Sequence, residues 1–469
     1  MNKNYGKNAI TSIVDSVEHA MGRRADIAVT GLRRAGKTVF VASLIRNLLA
    51  RSRNPDVLPG FRPEIIGVKE EPAGIADLPP FQTEKYFRDL QADPPRWPKS
   101  TDSISRTELK IRYKRARSIT NPLGKDGILT LGIIDYPGEW LNDVQLLHLS
   151  FEEWSRQTLS RLRTGAISIV ATDFLGFLST ANGNSRADID LISRRGHELY
   201  KDALFKMRDE LGLSFLQPGR FIMPDGGGDK PLLWFFPMEP PPEADKSGKD
   251  TLWATLAQRY KAYCDKIVTG FLRETFDRCN QQVVLVDLLT ALNGGQVVFD
   301  DACEAIGTAL DALGLGRSRW WKLLRMQHRK FDRVLFAVTK ADHVPQSQRH
   351  ALERLLENII GDRISRDLTD GSRVQSMALA SVLCTKDDKV LVDVGEVDVV
   401  VGKPIDSDKG LKIYPGVIPS DRPRPDYWSR TAIRYPIFSP PRLDAGAFGG
   451  IPNINLDRAI DFILKDILK

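Results

Sequence analysis

The segment Gly31-Leu32-Arg33-Arg34-Ala35-Gly36-Lys37-Thr38 limits what this chain can fold into more than any other. It fits G-x-x-x-x-G-K-[ST], a backbone loop that cradles phosphate. Residues 25–30 (ADIAVT) read as a short buried strand before it. Residues 38–50 (TVFVASLIRNLLA) read as a helix after it, with Val41, Leu44, Ile45, Leu48 and Leu49 at three- and four-residue spacings. Strand, glycine loop and helix in that order are what the pattern needs. Glycine lets the backbone curl until successive N–H groups face phosphate oxygens, and the helix N-terminus adds its positive end. Gly31, Arg34, Ala35, Gly36, Lys37, Thr38 and Val39 are the expected phosphate contacts. Lys37 would bridge the β- and γ-phosphates, and the Thr38 hydroxyl would bind Mg²⁺. The plain alternative is an ordinary strand-to-helix turn.

A second element on the magnesium side should end another strand. Residues 128–134 (ILTLGII) read as that strand and run into Asp135-Tyr136-Pro137-Gly138-Glu139-Trp140. Asp135 is placed to hold Mg²⁺, directly or through water, and Gly138 to offer its N–H to a γ-phosphate. D-x-x-G alone is weak, since Asp and Gly recur in turns; its place after a buried strand gives it meaning. Between the two motifs, Pro94-Pro95-Arg96-Trp97-Pro98-Lys99-Ser100-Thr101 reads as an irregular loop. Leu109, Ile111 and Tyr113 alternate after it like an edge strand. Thr101 is the candidate γ-phosphate-sensing metal ligand, with Thr107 as the alternative. A surface-loop threonine is the competing reading.

Residues 331–338 (FDRVLFAV) read as another buried strand, ending in Thr339-Lys340-Ala341-Asp342. This is similar to the guanine-reading [NT]-K-x-D motif. Guanine shows two donors, N1–H and its 2-amino group, which one carboxylate accepts; adenine lacks the pair, so Asp342 would discriminate. The Lys340 stem would lie along the purine. Residues 377–383 (MALASVL) read as a last strand, with Ala380 and Ser381 offering a backbone N–H to guanine O6.

The remaining sequence bounds the class. A 469-residue chain, 42% hydrophobic and 27% charged, is enough for two or three folded domains, or one with a large insertion. No apolar run approaches the roughly 20 residues of a membrane span. The longest, residues 165–172 and 334–338, read as buried strands. The polar start shows no signal-peptide pattern, so a cytoplasmic protein is expected. Cys264, Cys279, Cys303 and Cys384 have no zinc or disulfide spacing and read as reduced structural thiols. The net charge of +7 is dispersed, so no specific nucleic-acid partner is indicated. The six histidines show no metal spacing, and His343 reads as a loop residue.

More than 200 residues separate Asp135 from Asp342, so a large insertion is expected between the motifs. Helical patterns run over 142–163, 187–211 and 251–278, with a Pro/Gly-rich connection over 219–248. Residues 282–289 (QVVLVDLL) return as a core strand and 302–313 as a helix. Residues 390–401 read as a β-hairpin about Gly395 and Glu396, 456–468 as an amphipathic helix, and the first 22 residues as another helix. The expected organisation is a core over 1–139 and 281–469 with a mostly helical insertion over 140–280.

The phosphate loop, DYPGEW at Asp135 to Trp140, T-K-A-D at Thr339 to Asp342 and the tract at Trp97-Pro98 together resemble the YcjX-like family of bacterial P-loop proteins, over nearly the whole chain. The resemblance implies an α/β P-loop NTPase fold, with a Ras-like mixed sheet flanked by helices and a large helical insertion. It also implies GTP/GDP and Mg²⁺ as cofactors and GTP hydrolysis. Stress-associated expression and a membrane-protein neighbour follow too, hence a possible inner-membrane protein partner and a peripheral position there. The oligomeric state stays open.

For catalysis, the candidates are Lys37, Glu139, Arg33 and Arg34. Glu139 stands where a water-orienting glutamine is usual. It would accept a proton from water, but its charge repels the γ-phosphate unless Arg33 or Arg34 neutralises it. Those arginines serve equally as a cis arginine finger or as salt bridges to the insertion, and Trp140 either shields the site or packs. Three readings remain: a slow GTPase switch, an ATPase, and a non-hydrolysing nucleotide-binding module that recruits a membrane or protein partner.

Overall fold

Seven strands form one mixed sheet in this computed structural model, which describes residues 23–32, 34–71, 78–98, 103–115, 126–223, 230–242, 250–316, 331–364, 373–393, 395–407, 409–430, 433–434, 436–443 and 449–468. They are β1 (Arg23–Gly31), β2 (Ile65–Glu71), β3 (Ser105–Tyr113), β4 (Gly127–Asp135), β5 (Gln281–Val286), β6 (Arg333–Val338) and β7 (Val374–Ala378), in the order β2-β3-β4-β1-β5-β6-β7. The β2–β3 and β3–β4 pairs are antiparallel and the rest are parallel. The helices that matter below are α1 (Lys37–Arg51), α2 (Phe151–Leu162), α3 (Ile189–Asp209), α4 (Leu252–Ala262), α5 (Thr269–Phe276), α6 (Gln296–Ala312), α7 (Gln346–Gly361) and α8 (Leu456–Leu464).

Parallel strands covered on both faces read as unbroken apolar runs, and β5 and β6 are buried at every position. The pleat of β1 divides its residues between two cores. Ala25, Ile27 and Val29 pack with α1 and α8, while Ala28 joins the core under α5, α6 and α7. This is the α/β arrangement expected, a mixed sheet flanked by helices. A separate antiparallel sheet carries the hairpin, with β8 (Thr385–Val392) turning into β9 (Gly395–Gly402) beside β10 (Leu411–Ile413). No helix among the described residues is long and apolar enough to cross a membrane.

Several local expectations need correction. The strand bearing Leu109, Ile111 and Tyr113 is internal; the edge belongs to β2, whose Lys69, Glu70 and Glu71 hid it by breaking the apolar pattern. Residues 165–172 are helical, in the short helices Gly165–Val170 and Thr172–Thr180. Ile167 and Ala171 are buried one turn apart while Ile169 is exposed, a helical period that a short apolar run conceals. The helix expected over 142–163 is broken. A turn of helix at Glu139–Asn142 continues as a 3₁₀ segment, and α2 starts afresh where Ser150 and Glu153 form a capping box. β5 stops at Val286, and Leu288 and Leu289 open a short helix capped by Asp287. The strand expected over 377–383 ends at Ala378, so Ala380 and Ser381 lie in the loop beyond it. The proposed N-terminal helix falls outside the described residues.

The helices between β4 and β5 bury a core of their own. Trp154 sits at its centre, stacked on Tyr260 and edge-on to Phe235 and Tyr200. This core is tied to the end of β4 through Asp143, whose buried carboxylate accepts from Gly219 N at 2.7 Å and Tyr263 Oη at 2.5 Å. Burial pushes the Asp143 carboxyl up to about 6, against the pull of the Tyr263 and Gly219 hydrogen bonds.

Trp154→Ala is expected to cost about 3–5 kcal/mol, seen as a lower urea midpoint; an unchanged midpoint would remove Trp154 from the core's support. Asp143 gives a pH signature. Its folded pKa lies above the unfolded value near 3.8, so the stability it contributes is present below pH 4 and is lost as pH rises towards 6. Subtracting the stability curve of Asp143→Asn from that of wild type should expose this fall of about 3 kcal/mol; parallel curves would contradict it.

Candidate functional site

The parallel strands β4, β1, β5, β6 and β7 all finish at the same end of the sheet, and from β1 the chain runs on to β2 on one side while its other neighbour, β5, leads to β6 on the other. Crevices of this kind hold ligands in open α/β sheets. Here the crevice is a cavity of about 670 Å³. Its walls bring together Gly31, Arg34, Ala35, Gly36, Lys37, Thr38 and Val39 from the phosphate loop, and Glu139 from the segment after β4. Thr339, Lys340, Asp342, Ala380 and Ser381 complete it from beyond β6 and β7.

The loop geometry follows from backbone needs. Leu32 N donates to Leu285 O, and Ala35 N back to Leu32 O, both at 3.0 Å. Arg34 and Gly36 take positive φ, at 57° and 75°. Gly36 then precedes α1 with no side chain, so the first-turn N–H groups of α1 open on the cavity. Lys37 Nζ lies 2.8 Å from Asp135 Oδ1, and both groups are largely buried. Asp135 therefore stands behind Lys37 rather than on the cavity wall. Among the described residues it is the one acceptor that the ammonium meets, so Lys37 keeps donor capacity for phosphate oxygens. With the Thr38 hydroxyl, Asp135 also supplies the hard oxygen donors that suit Mg²⁺.

Gly138 does not line the cavity. A Cβ there would stand 2.2 Å from Gly31 O, so only glycine lets the backbone after β4 cross the phosphate loop. Trp140 is buried, donates Nε1–H to Met223 O at 2.9 Å and carries the Arg220 guanidinium 3.7 Å over its ring. It packs.

At the far end, Thr339 N donates to Val286 O at 2.8 Å. Lys340 takes a φ of 61° and reaches Asp287 Oδ2 at 2.5 Å and Thr290 Oγ1 at 3.3 Å, which fixes its stem along one wall. Asp342 is buried, and its Oδ2 accepts from Cys384 N at 2.9 Å and Cys384 Sγ at 3.1 Å. The Ser381 carbonyl accepts from Ser43 Oγ of α1, which ties this loop to the phosphate-binding helix.

Thr107 is not brought to the cavity; its hydroxyl donates to Glu70 Oε1 at 3.0 Å within the sheet. Thr101 and Arg33 fall outside the described residues. Trp97 and Pro98, a few residues before Thr101, do line the cavity, and Trp97 Nε1 donates to Phe438 O at 2.7 Å. Sequence reading missed Asp287, Cys384 and the pair Arg208 and Asp209 at the end of α3, which also line it or hold its lining. Asp287 had a signal, an acid directly after a buried strand, as at Asp135. Cys384 and Arg208 had none, because only tertiary folding places them here.

Comparison with known proteins identifies the family. The model of the YcjX-like family, DUF463, matches residues 25–468. Over 480 residues the chain is 32% identical to an Escherichia coli K12 protein described as "Ras-like GTPase YcjX", with 99% of each chain covered. A Shewanella oneidensis MR-1 protein with the same description is 29% identical over 484 residues, covering 98% of this chain and 99% of that one. The matched span includes the phosphate loop, the DYPGEW segment and the T-K-A-D tract, and the chain belongs to the YcjX-like family.

Proposed function

We propose that this protein binds guanine nucleotide with Mg²⁺ and hydrolyses GTP slowly to GDP and phosphate, as a stress-related switch. One observation carries the reading: a single cavity holds the phosphate loop at one end and the buried Asp342 carboxylate at the other. The description of two relatives as Ras-like GTPases supports it. Residues 1–139 and 281–469 would form the Ras-like core and 140–280 its insertion, with an inner-membrane protein as a candidate partner.

In this reading the loop N–H groups and Lys37 grip the β- and γ-phosphates, and Gly138 supports the loop where its backbone crosses Gly31. Thr38, Asp135 and Thr101 would hold Mg²⁺, which supplies charge neutralisation between the β- and γ-oxygens. Glu139 orients the attacking water, and Arg34 or Arg33 offsets the Glu139 charge. Asp342 accepts from guanine N1–H and the 2-amino group, Lys340 covers the purine face, and the Ala380–Ser381 backbone faces O6.

Calorimetry with GDP, GTP and ATP in Mg²⁺ tests the base reading. Guanine nucleotides should bind at least ~100-fold better than ATP, and Asp342→Ala should erase the difference. Equal ATP binding would favour an ATPase. Lys37→Ala should weaken every nucleotide by roughly 10–100-fold, the worth of a charge-assisted contact. Glu139→Ala should lower kcat about 100-fold with little change in GTP affinity. Tight GDP binding with no measurable turnover in the wild type would instead favour a non-hydrolysing module.

A further inference from the structure

The base end of the cavity holds chemistry that guanine recognition does not use. His343 and Cys384 flank Asp342, and all three line the cavity. Cys384 Sγ lies 3.1 Å from Asp342 Oδ2 and 3.6 Å from His343 Nε2, and His343 Nε2 lies 4.0 Å from Asp342 Oδ1. They are the one group of three such ligands whose donor atoms converge among the described residues. Tetrahedral Zn²⁺, with bonds of about 2.0–2.3 Å, sets its ligand atoms roughly 3.3–3.6 Å apart. The two Cys384 separations are within a few tenths of an ångström of that spacing, while the 4.0 Å from His343 Nε2 to the other Asp342 oxygen is wider and must close by side-chain rotation.

The donor set points to the kind of ion. Thiolate and imidazole favour a borderline-soft cation such as Zn²⁺ over Mg²⁺ or Ca²⁺, which prefer oxygen. The shell is also supported from outside. Cys384 N–H holds the Asp342 carboxylate, Thr385 Oγ1 donates to the Asp342 carbonyl, and Phe438 packs edge-on to the His343 ring. Three protein ligands leave a fourth position open.

We propose that Asp342, His343 and Cys384 form a Zn²⁺ site that closes the base pocket to guanine nucleotide. As the metal binds, a Zn–S bond forms and the Cys384 thiol gives its proton to solvent. The Asp342 carboxylate then serves the metal. It can no longer accept both guanine donors, so metal and base exclude each other. This exclusion rests on the base-reading role given to Asp342 above, whereas metal binding itself does not.

The test begins with nucleotide-free wild-type protein. Zn²⁺ is titrated against a chromophoric chelator, and Co²⁺ is then substituted to read the thiolate-to-metal charge-transfer band. One Zn²⁺ per chain and the cobalt band are expected, with affinity at least about 100-fold weaker in Cys384→Ser and in His343→Gln. GDP affinity, measured at fixed Mg²⁺, should fall at least ~10-fold with Zn²⁺ in wild type and stay unmoved by Zn²⁺ in Cys384→Ser. No stoichiometric uptake, a cobalt spectrum without the band, uptake retained in Cys384→Ser, or GDP affinity indifferent to Zn²⁺ would each overturn the proposal. The cobalt band is read on wild type without nucleotide. It therefore stands if a variant fails to fold, and it separates a failed metal site from a failed guanine reading.

Discussion

The ion pair between Lys37 and Asp135 joins the first turn of α1 to the end of β4, and much of the site's geometry depends on it. Both groups are largely buried, at 2.8 Å from each other. A buried pair of this kind adds little net stability, because desolvation offsets most of the attraction, but losing one partner strands a charge. Its value lies in position. Lys37 leaves the phosphate loop pointing towards the cavity, and Asp135 keeps it from swinging away. β4, which ends in Asp135, and β1, which leads into the loop before Lys37, are direct parallel neighbours, with Val29 beside Asp135. The sheet therefore sets the separation of the pair, and the pair sets the charge that a phosphate would meet.

Two close backbone approaches extend this arrangement into the helical segment. Gly138 crosses Gly31 so tightly that a Cβ would meet the carbonyl oxygen at 2.2 Å. One residue on, Gly219 packs on the Glu139 backbone in the same way: a Cβ on Gly219 would stand 2.1 Å from Glu139 O. Asp143, Tyr263 and the Gly219 N–H then lock that junction from the helical side. The segment after β4 is thus packed closely between the phosphate loop on one side and the helices on the other, at positions where only glycine fits. Arg208 and Asp209 at the end of α3 reach the cavity from the same helical side.

The parts of the fold legible in the sequence were those specified locally. The β1–loop–α1 unit is contiguous, and its glycines and helical spacing state the geometry outright. Asp135 and Asp342 could be found because each lies at or just beyond the end of a largely buried strand, whose apolar run is visible without knowing its partners. β2 escaped because an edge strand carries Lys69, Glu70 and Glu71 where an internal one would carry apolar residues. Residues 165–172 misled because a short, mostly apolar run satisfies strand and helix alike, and only packing against the helical core decided between them. Cys384 could not be read at all. Its backbone N–H meets Asp342 across 42 residues of chain, through a turn that no spacing rule describes.

The central claim is that Asp342 reads the base through two acceptor oxygens. Asp342→Asn tests this most directly, because an amide presents one acceptor and one donor. That pattern complements xanthine, which carries a 2-oxo group where guanine has its amine. The measurement is the affinity of wild type and Asp342→Asn for guanosine and xanthosine diphosphates with Mg²⁺. The account predicts a reversal: wild type prefers the guanosine form, and the variant prefers the xanthosine form by at least ~10-fold, about the worth of one hydrogen bond. If the variant lost affinity for both, or kept its guanosine preference, Asp342 would not be the base-reading residue.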